Sequence, residues 1–417
     1  MKVLSFLTLI LAPLAGCGVP DDDQTNSQEL NVNSRYTVES VHLLGLRSVT
    51  ISDTLRRDLD KLVGHRFDDS ALRRLAIRIK SELRASEVKI KAIRGTQPDH
   101  LIVDFEVKPE RYGLNVARFL YNSKEGWTGD GSAFVNAAGN AFTFGLLSDA
   151  DSSLERYSGV HATFERKNVF TDRVRLHFEF DSFHEAWNPT TLAAAEPADI
   201  YRTRQDIMPE TTIVLFQPLE LDLGVNFARF RPSLPNQAGS AAKTESANAV
   251  VSTLRYHQRW GSEHDEQEQE LNGSYSVQYS TNLFDTDDVY SRNLANARYR
   301  FRHVHNTVEV GFLAGEISGN APLFERFVLG NSTTLRGWSK FDLDPLGGSH
   351  IIHGSIDYRY RFFQAFYDTG AIWDRPEERS QKQSIGTGFK VDTFQLAVAF
   401  PIRSGRAEPI FYAGLNF

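Results

Sequence analysis

The stretch that decides how this chain folds is residues 327–374, FVLGNSTTLRGWSKFDLDPLGGSHIIHGSIDYRYRFFQAFYDTGAIWD. It places Arg336 in a long loop, ahead of two strand-like runs that carry one carboxylate each, Asp357 and Asp368. An arginine side chain is always charged and presents five donors in a rigid fork, so away from bulk water it needs carboxylate partners. Apolar and polar residues alternate around Asp357, which puts it on the polar face of its strand, where Arg336 could reach it.

The same alternation occurs in many other segments between residue 110 and residue 417. In 173–181 (RVRLHFEFD) every second residue is apolar and the intervening residues are charged, and similar patterns occur at 271–279 and 355–361. One dry face and one ionised face suit a strand with lipid on one side and a wet lumen on the other. In a packed sandwich core the same charges would need partners.

The spacing of these segments predicts sixteen antiparallel strands that close into a transmembrane β-barrel. Long polar connections alternate with tight turns, and an even strand count brings both ends of the barrel to the same side of the membrane. The first long connection is expected at 122–131 and the sixth at about 317–350. One expected turn, 261–270 (GSEHDEQEQE), is longer than this scheme requires.

The 327–374 segment resembles the sixth-loop signature of the outer-membrane assembly-factor superfamily, the BamA/TamA-type barrels also called bacterial surface antigens. That resemblance implies that an Arg-Gly-aromatic tip folds back into the barrel lumen. There the arginine would pair with an acidic residue on the next strand and with the aspartate of an aromatic-x-Asp-x-Gly segment. In this chain the corresponding residues are Arg336, Gly337, Trp338, Asp357, Asp368 and Gly370.

The first residues predict export. A basic start, an apolar run and Leu-Ala-Gly-Cys form a lipoprotein signal peptide over 1–16, after which Cys17 would be lipidated. Residues 17–35 are polar and acidic and read as a flexible linker. The alternative is an ordinary signal peptide with an incidental cysteine. Cys17 is the only cysteine, which excludes a disulfide and any multi-cysteine metal site.

Residues 36–109 predict a small α/β domain in the order β-α-α-β-β. Ser52 or Asp53 begins a helix that runs to Val63, and Asp68 or Asp69 begins a second. The order resembles a polypeptide-transport-associated (POTRA) domain, a family that binds clients by adding a strand to a sheet edge. A rigid spacer is the alternative role.

The chain ends in an alternating run, PIFYAGLNF, with Phe411, Leu415 and Phe417 on one face. A terminal phenylalanine on such a strand resembles the C-terminal signal by which barrels are recognised for insertion. An unrelated barrel could also end this way.

Charge and motifs argue against two other classes of function. The net charge of −7 gives no basic field for nucleic acid. The sequence holds no Gly-x-Ser-x-Gly elbow, no His-Glu-x-x-His and no glycine-rich phosphate loop, so it predicts neither an enzyme nor a cofactor. The histidines are scattered, and no metal site is predicted.

The function implied by the resemblance is assistance to polypeptides that insert into or cross the outer membrane. Its expected location is the bacterial outer membrane, with the POTRA domain and the lipid-anchored N-terminus in the periplasm. Expected partners are outer-membrane lipids, unfolded outer-membrane or secreted polypeptides, and periplasmic chaperones or accessory lipoproteins. The competing hypothesis is a passive pore or lipid-handling barrel in which the POTRA domain is a spacer.

Overall fold

The computed structural model describes residues 35–45, 51, 53–83, 85–137, 139–232, 244–261, 267–405 and 408–415. The expected signal peptide, Cys17 and almost all of the 17–35 linker lie outside these residues, as does Phe417.

The N-terminal domain is a three-stranded sheet packed against two helices. Its elements are β1 (Thr37–Leu44), α1 (Asp53–Asp60), α2 (Asp69–Glu82), β2 (Ala85–Arg94) and β3 (His100–Pro109). The sheet order is β1-β3-β2, with β1 parallel and β2 antiparallel to the central β3. This is the β-α-α-β-β order that the sequence predicts.

Helix α2 begins and packs as its sequence dictates. Asp68 is the N-cap, and its carboxylate accepts hydrogen bonds from the backbone N–H groups of Ser70 at 2.9 Å and Ala71 at 3.3 Å. The apolar residues at helical spacing face the sheet, where Leu72 and Ile79 are fully buried.

The prediction that α1 runs to Val63 is wrong, because the helix ends at Asp60. Tight i→i+3 hydrogen bonds continue to His65, and Gly64 takes a φ of +79° that stops further helix.

The remainder of the chain is a closed antiparallel barrel of sixteen long strands, as predicted. A two-residue strand, β11 (Glu245–Ser246), pairs only with β10 and does not add to the sixteen. The long strands are β4 (Tyr112–Asn122), β5 (Gly126–Ala137), β6 (Asn140–Asp149), β7 (Arg156–Arg166), β8 (Val174–Ala186), β9 (Tyr201–Phe216), β10 (Leu219–Pro232), β12 (Ala249–Trp260), β13 (Gln267–Ser280), β14 (Tyr290–His303), β15 (Asn306–Gly319), β16 (His350–Tyr360), β17 (Phe363–Trp373), β18 (Lys382–Val391), β19 (Phe394–Pro401) and β20 (Ile410–Leu415).

The two ends of the barrel differ in their connections. At the turn end, where the chain enters from β3, most connections are two residues long, such as 217–218 and 304–305. At the loop end the connections include 187–200, which carries the short helix α3 (Pro189–Ala194), and 320–349.

Two expected connections are shorter than predicted. The first connection is not a long loop over 122–131, because β5 begins at Gly126. The start of β5 is rich in glycine, which is typical of a turn, but it pairs with β4. Trp127 of β5 also stacks on Phe119 of β4, with the ring centres 4.9 Å apart. The 261–270 turn also ends early, because β13 begins at Gln267. Glu268 and Glu270 in that strand form ion pairs with arginines on β14.

The strands present alternate residues to the two sides of the wall. On β16 the apolar residues Ile356 and Tyr358 are about half exposed on the outer face, whereas Asp357 and Arg359 line the lumen cavity. This is the distribution that lipid outside and water inside favour. Within the part of the chain described here, no helix has the length and apolarity needed to span a membrane.

Candidate functional site: loop six and the barrel seam

The sixth loop-end connection, called loop six below, spans 320–349, close to the expected 317–350. It contains a 3₁₀ turn at Leu323–Glu325 and the short helix α4 (Lys340–Leu343). Phe327 and Gly348 form an isolated β-bridge that closes the base of the loop. An apolar cluster under the loop includes the buried Leu329 and Leu335.

An ion pair also fixes the base of loop six. Arg326 donates to both carboxylate oxygens of Asp374, at 2.7 and 2.5 Å, and the N–H of Ser349 donates to the same carboxylate at 2.7 Å. Burial raises the pKa of Asp374, but these hydrogen bonds outweigh it and hold the pKa below its ordinary value. The carboxylate is therefore charged at neutral pH and ties the loop to the end of β17.

The tip of loop six is shaped by an asparagine and a glycine. The Asn331 side-chain oxygen accepts hydrogen bonds from the backbone N–H groups of Thr333 and Thr334, at 2.9 and 2.8 Å. Gly337 has a φ of +94°, and a Cβ atom there would lie 3.2 Å from Ala399 on β19. Glycine is thus required for both the turn and the close approach to the wall.

The structure brings Arg336, Asp357 and Asp368 together; these three residues are called the arginine cluster below. The guanidinium donates to both oxygens of Asp368, from Nε at 2.8 Å and from Nη2 at 2.7 Å. It also donates to both oxygens of Asp357, from Nη1 at 2.8 Å and from Nη2 at 2.9 Å. The backbone N–H of Arg336 adds a bond to Asp368 at 3.0 Å.

Burial makes this geometry energetically important. Asp368 is fully buried and Arg336 is 9% exposed, so neither ion is well solvated. The two bidentate carboxylates take four hydrogen bonds from the guanidinium, which also stacks 3.7 Å from the centre of the Phe366 ring. Gln364 donates to Asp357 at 2.8 Å, which satisfies a further acceptor.

The other predicted residues of the signature surround this cluster. The Trp338 indole N–H donates to the Gln383 carbonyl on β18 at 2.8 Å. Gly370 lies on β17, where a Cβ atom would come within 2.9 Å of the Ile352 carbonyl oxygen. The Arg-Gly-Trp tip therefore contacts several consecutive strands on the C-terminal side of the barrel.

A second set of contacts, which the sequence did not predict, joins loop six to the N-terminal side of the barrel. Asp151, in the β6–β7 connection, accepts from the Ser332 hydroxyl at 2.7 Å and from the Ser332 N–H at 3.2 Å. It also accepts from Arg118 at 2.7 Å and from Asn122 at 3.1 Å, both on β4. Together with Lys340, these residues are called the Asp151 cluster below.

Lys340 is the most buried cation of loop six, at 2% exposed. Its ammonium donates to the carbonyl oxygens of Ala150, at 2.6 Å, and of Ser153, and lies 3.8 Å from the Glu125 carboxylate. No motif signals this contact, because Lys340 and its partners lie in separate loops that only the closed barrel brings together.

The barrel closes at a short seam between β20 and β4. Among the described residues, four residue pairs form it, from Tyr412 opposite Asn122 to Leu415 opposite Phe119. In contrast, the pairs of β4 with β5 run from Tyr112 to Asn122, with one irregularity between Val116 and Arg118. The seam pairs lie at the loop end, and within the described residues no β20 residue lies opposite the first residues of β4, 112–115.

Both strands of this seam carry apolar residues: β20 holds two residues of the predicted insertion signal, and β4 holds exposed residues. Phe411 is 54% exposed on the outer face, and Leu415 is the last described residue of β20. Tyr112 and Leu114 on β4 are 78% and 87% exposed. A Cβ atom at Gly414 would overlap the Phe119 carbonyl, so this glycine permits the close approach of the two strands.

The C-terminal half of the barrel is recognisable by sequence. Residues 270–406 match the model of the Omp85 superfamily domain. This part of the barrel is similar to an Omp85 superfamily domain. Loop six, the arginine cluster and strands β14–β18 all lie within the matched residues.

Solved structures agree on the fold. BamA from Haemophilus ducreyi lacking POTRA domains 1–3 has a TM-score of 0.59 and 13% identity, and covers 92% of this chain and 85% of its own. CdiB from Acinetobacter baumannii has a TM-score of 0.56 and 11% identity, and covers 91% and 74%. CdiB from Escherichia coli has a TM-score of 0.52 and 10% identity, and covers 93% and 92%.

No curated protein matches the sequence. Residues 270–406 are thus similar in sequence to an Omp85 superfamily domain, and the fold is that of a BamA-like barrel.

Proposed function

We propose that this protein helps polypeptides insert into or cross the outer membrane by opening the β4–β20 seam, with loop six controlling that opening. The observation that carries the proposal is the seam itself, which has four residue pairs among the described residues, whereas β4 pairs with β5 from Tyr112 to Asn122. Backbone groups left unpaired in lipid cost several kcal/mol each. An exposed β4 edge would therefore be satisfied by a strand from a client.

Loop six contacts both sides of this seam. On one side Arg336 binds carboxylates of β16 and β17, and the Gly337 N–H lies 3.4 Å from the Tyr412 hydroxyl on β20. On the other side Ser332 binds Asp151, which also binds Arg118 and Asn122 of β4. The loop therefore ties the two seam strands together, and its release would lower the cost of separating them.

The N-terminal domain would supply the first client contact as a POTRA domain over 36–109. Its strands β1 and β2 are the sheet edges. The β1 edge is partly covered, because Val38 N–H donates to the His65 carbonyl and Gly64 N–H donates to the Val38 carbonyl. This leaves β2 as the edge for strand addition by an unfolded polypeptide.

Residues 1–16 would be a lipoprotein signal and 17–35 a lipidated tether, with Phe411, Leu415 and Phe417 as the barrel's own insertion signal. Replacing Cys17 with Ser should abolish labelling of the protein by radioactive palmitate in growing cells.

A reversible disulfide across the seam tests the central claim. Tyr121 and Ala413 are opposite each other at the seam, so Tyr121→Cys with Ala413→Cys would lock it when oxidised. A matched control lock, Thr387→Cys with Val398→Cys, joins β18 to β19 away from the seam. Mass spectrometry of the outer-membrane and secreted proteins would be compared for each variant, oxidised and reduced.

The expected result is loss of specific outer-membrane or secreted polypeptides in the oxidised seam variant, their recovery on reduction, and no change with the control lock. An oxidised seam variant that leaves the profile unchanged would overturn the proposal. Equal ion conductance of the locked and reduced barrels in planar bilayers would then favour the passive pore.

A further inference from the structure

A row of histidines and carboxylates lies on the lumen wall opposite the arginine cluster, and the proposed function does not use it. It occupies β7 and β8, which lie eight strands away from β16 and β17 in either direction around the barrel. His161 on β7 is directly opposite Asp181 on β8, and Glu179 is two residues before Asp181 on the same face.

The side chains converge. His161 Nδ1 lies 2.6 Å from Asp181 Oδ1 and 3.8 Å from Glu179 Oε1. One ligand atom from each of the three residues lies within 4.8 Å of the others. His177, two residues before Glu179, has Nε2 at 3.4 Å from the other Glu179 oxygen and so orients that carboxylate.

The charge balance of this row differs from that of three other lumen carboxylates. Glu220 is paired with Arg175, Asp206 with Arg204 and Glu268 with Arg302. Among the described residues, the only basic side chains in ion-pair contact with Glu179 and Asp181 are histidines. A further carboxylate, Glu210 on β9, is opposite His177.

These features fit a divalent transition-metal ion better than a set of ordinary ion pairs. Imidazole nitrogen and carboxylate oxygen are standard zinc ligands, at about 2.0–2.2 Å from the ion. The ligands stand on adjacent hydrogen-bonded strands, so their spacing is fixed by the sheet, and small movements of side-chain torsions would bring them to that distance.

We propose that His161, Glu179 and Asp181 bind a zinc ion on the lumen wall. His177 is a positioning residue that orients Glu179 through its hydrogen bond. Three protein ligands leave a fourth coordination position that faces the lumen, where water or a carboxylate or imidazole of a passing chain binds. The site is independent of the seam and of loop six.

Isothermal titration of the purified full chain in detergent with zinc chloride tests the proposal, with a tag that contains no histidines. Wild-type protein should bind about one zinc ion, and His161→Ala should weaken binding by at least about tenfold. Glu179→Gln should do the same, whereas His177→Ala should have a smaller effect. The matched control is His184→Ala, because His184 is an exposed histidine on β8, the strand that carries Glu179 and Asp181.

Each variant is first checked for a folded barrel by heat-modifiable gel mobility, so that loss of binding is not loss of fold. Cobalt substitution adds a second readout, because a cobalt ion at this site should give a visible absorption band that His161→Ala removes and His184→Ala keeps. No zinc binding by the wild type, or equal binding by the wild type and His161→Ala, would overturn the proposal.

Discussion

Loop six is fixed on its two sides by different chemistry. On the C-terminal side, the arginine cluster pairs a side-chain cation with two carboxylates that stand on neighbouring strands. On the N-terminal side, the Asp151 cluster joins loop to loop, with a serine on a carboxylate and a buried lysine on backbone carbonyls. The carboxylates of the arginine cluster therefore stand on strands, whereas Ser332 and Lys340 bind residues of the β6–β7 connection.

This difference has a consequence for opening. Carboxylates on strands stay in place when the seam moves, because β16 and β17 are paired along their whole length. The Asp151 cluster includes Arg118 and Asn122 of β4, the strand that would separate from β20. We therefore expect the arginine cluster to determine the stability of loop six and the Asp151 cluster to couple it to the seam.

The largest expected effect is that of Arg336→Ala. The change leaves Asp368 fully buried without its cation, and breaking a buried ion pair from one side typically costs about 3–5 kcal/mol. Urea unfolding in detergent, followed by gel mobility, should show this loss, and added protease should cleave loop six.

Two further variants serve as comparisons for Arg336→Ala. Arg359→Ala removes a lumen arginine whose described hydrogen bond is to the Thr307 hydroxyl, and it should cost far less. Arg336→Lys keeps the charge but not the fork, and should recover part of the stability. Resistance to protease equal to wild type in Arg336→Ala would contradict a fixing role.

The next effect is that of Lys340→Met, which keeps the length of the side chain but leaves buried carbonyl acceptors unsatisfied. The expected loss is about 1–3 kcal/mol, smaller than for Arg336. Lys124→Met is the control, since Lys124 is an exposed lysine of the β4–β5 turn and should change stability by less than about 0.5 kcal/mol. Equal losses for both lysines would show that burial of Lys340 is not important.

A double-mutant cycle between the two clusters should give a coupling free energy that is smaller than the losses of stability expected for the single variants above. If both fix one loop, Arg336→Ala and Asp151→Asn should deviate from additivity by at least about 0.5 kcal/mol. Arg336→Ala combined with Asp222→Asn, a buried carboxylate on β10, should be additive. Additivity in both cycles would mean that the two sides of loop six act independently.

The sequence predicted the arginine cluster and not the Asp151 cluster for a physical reason. Arg336 and its carboxylates lie within 32 residues, in a fixed order of loop, strand and strand. Lys340 and the Ala150 carbonyl are 190 residues apart. Because every residue type has a backbone carbonyl, the sequence does not indicate which residue will accept this hydrogen bond. Strand alternation predicted most of the barrel because lipid and lumen impose a period of two.

Where that period is weak, the sequence prediction was less accurate. The start of β5 was placed in a loop, because Gly126, Gly129 and Gly131 read as turn residues although their backbones pair with neighbouring strands. The histidine row was missed because His161 and Asp181 become neighbours only through the register of β7 on β8. Register was not specified by either strand alone.

The smallest expected effect lies in the N-terminal domain, away from both clusters, and serves as a reference for them. Hydrogen bonds from the Ser70 side chain and the Ala71 backbone lower the pKa of Asp68 below its ordinary value of 3.8. A lowered pKa in the folded state means that Asp68 stabilises α2 above pH 3.8, and that this contribution is lost as pH falls through the folded pKa. Because asparagine is an equally good N-cap, Asp68→Asn should change stability at neutral pH by less than about 0.5 kcal/mol.

The variant should nevertheless remove the acid dependence of α2. Hydrogen–deuterium exchange of 69–82, corrected for the intrinsic rate at each pH, should show protection that falls with acid in the wild type and stays level in Asp68→Asn. Loop six should exchange identically in the two proteins. If both proteins lose protection of α2 over the same acidic range, the Asp68 carboxylate is not the titrating group and another acid in the domain must be responsible.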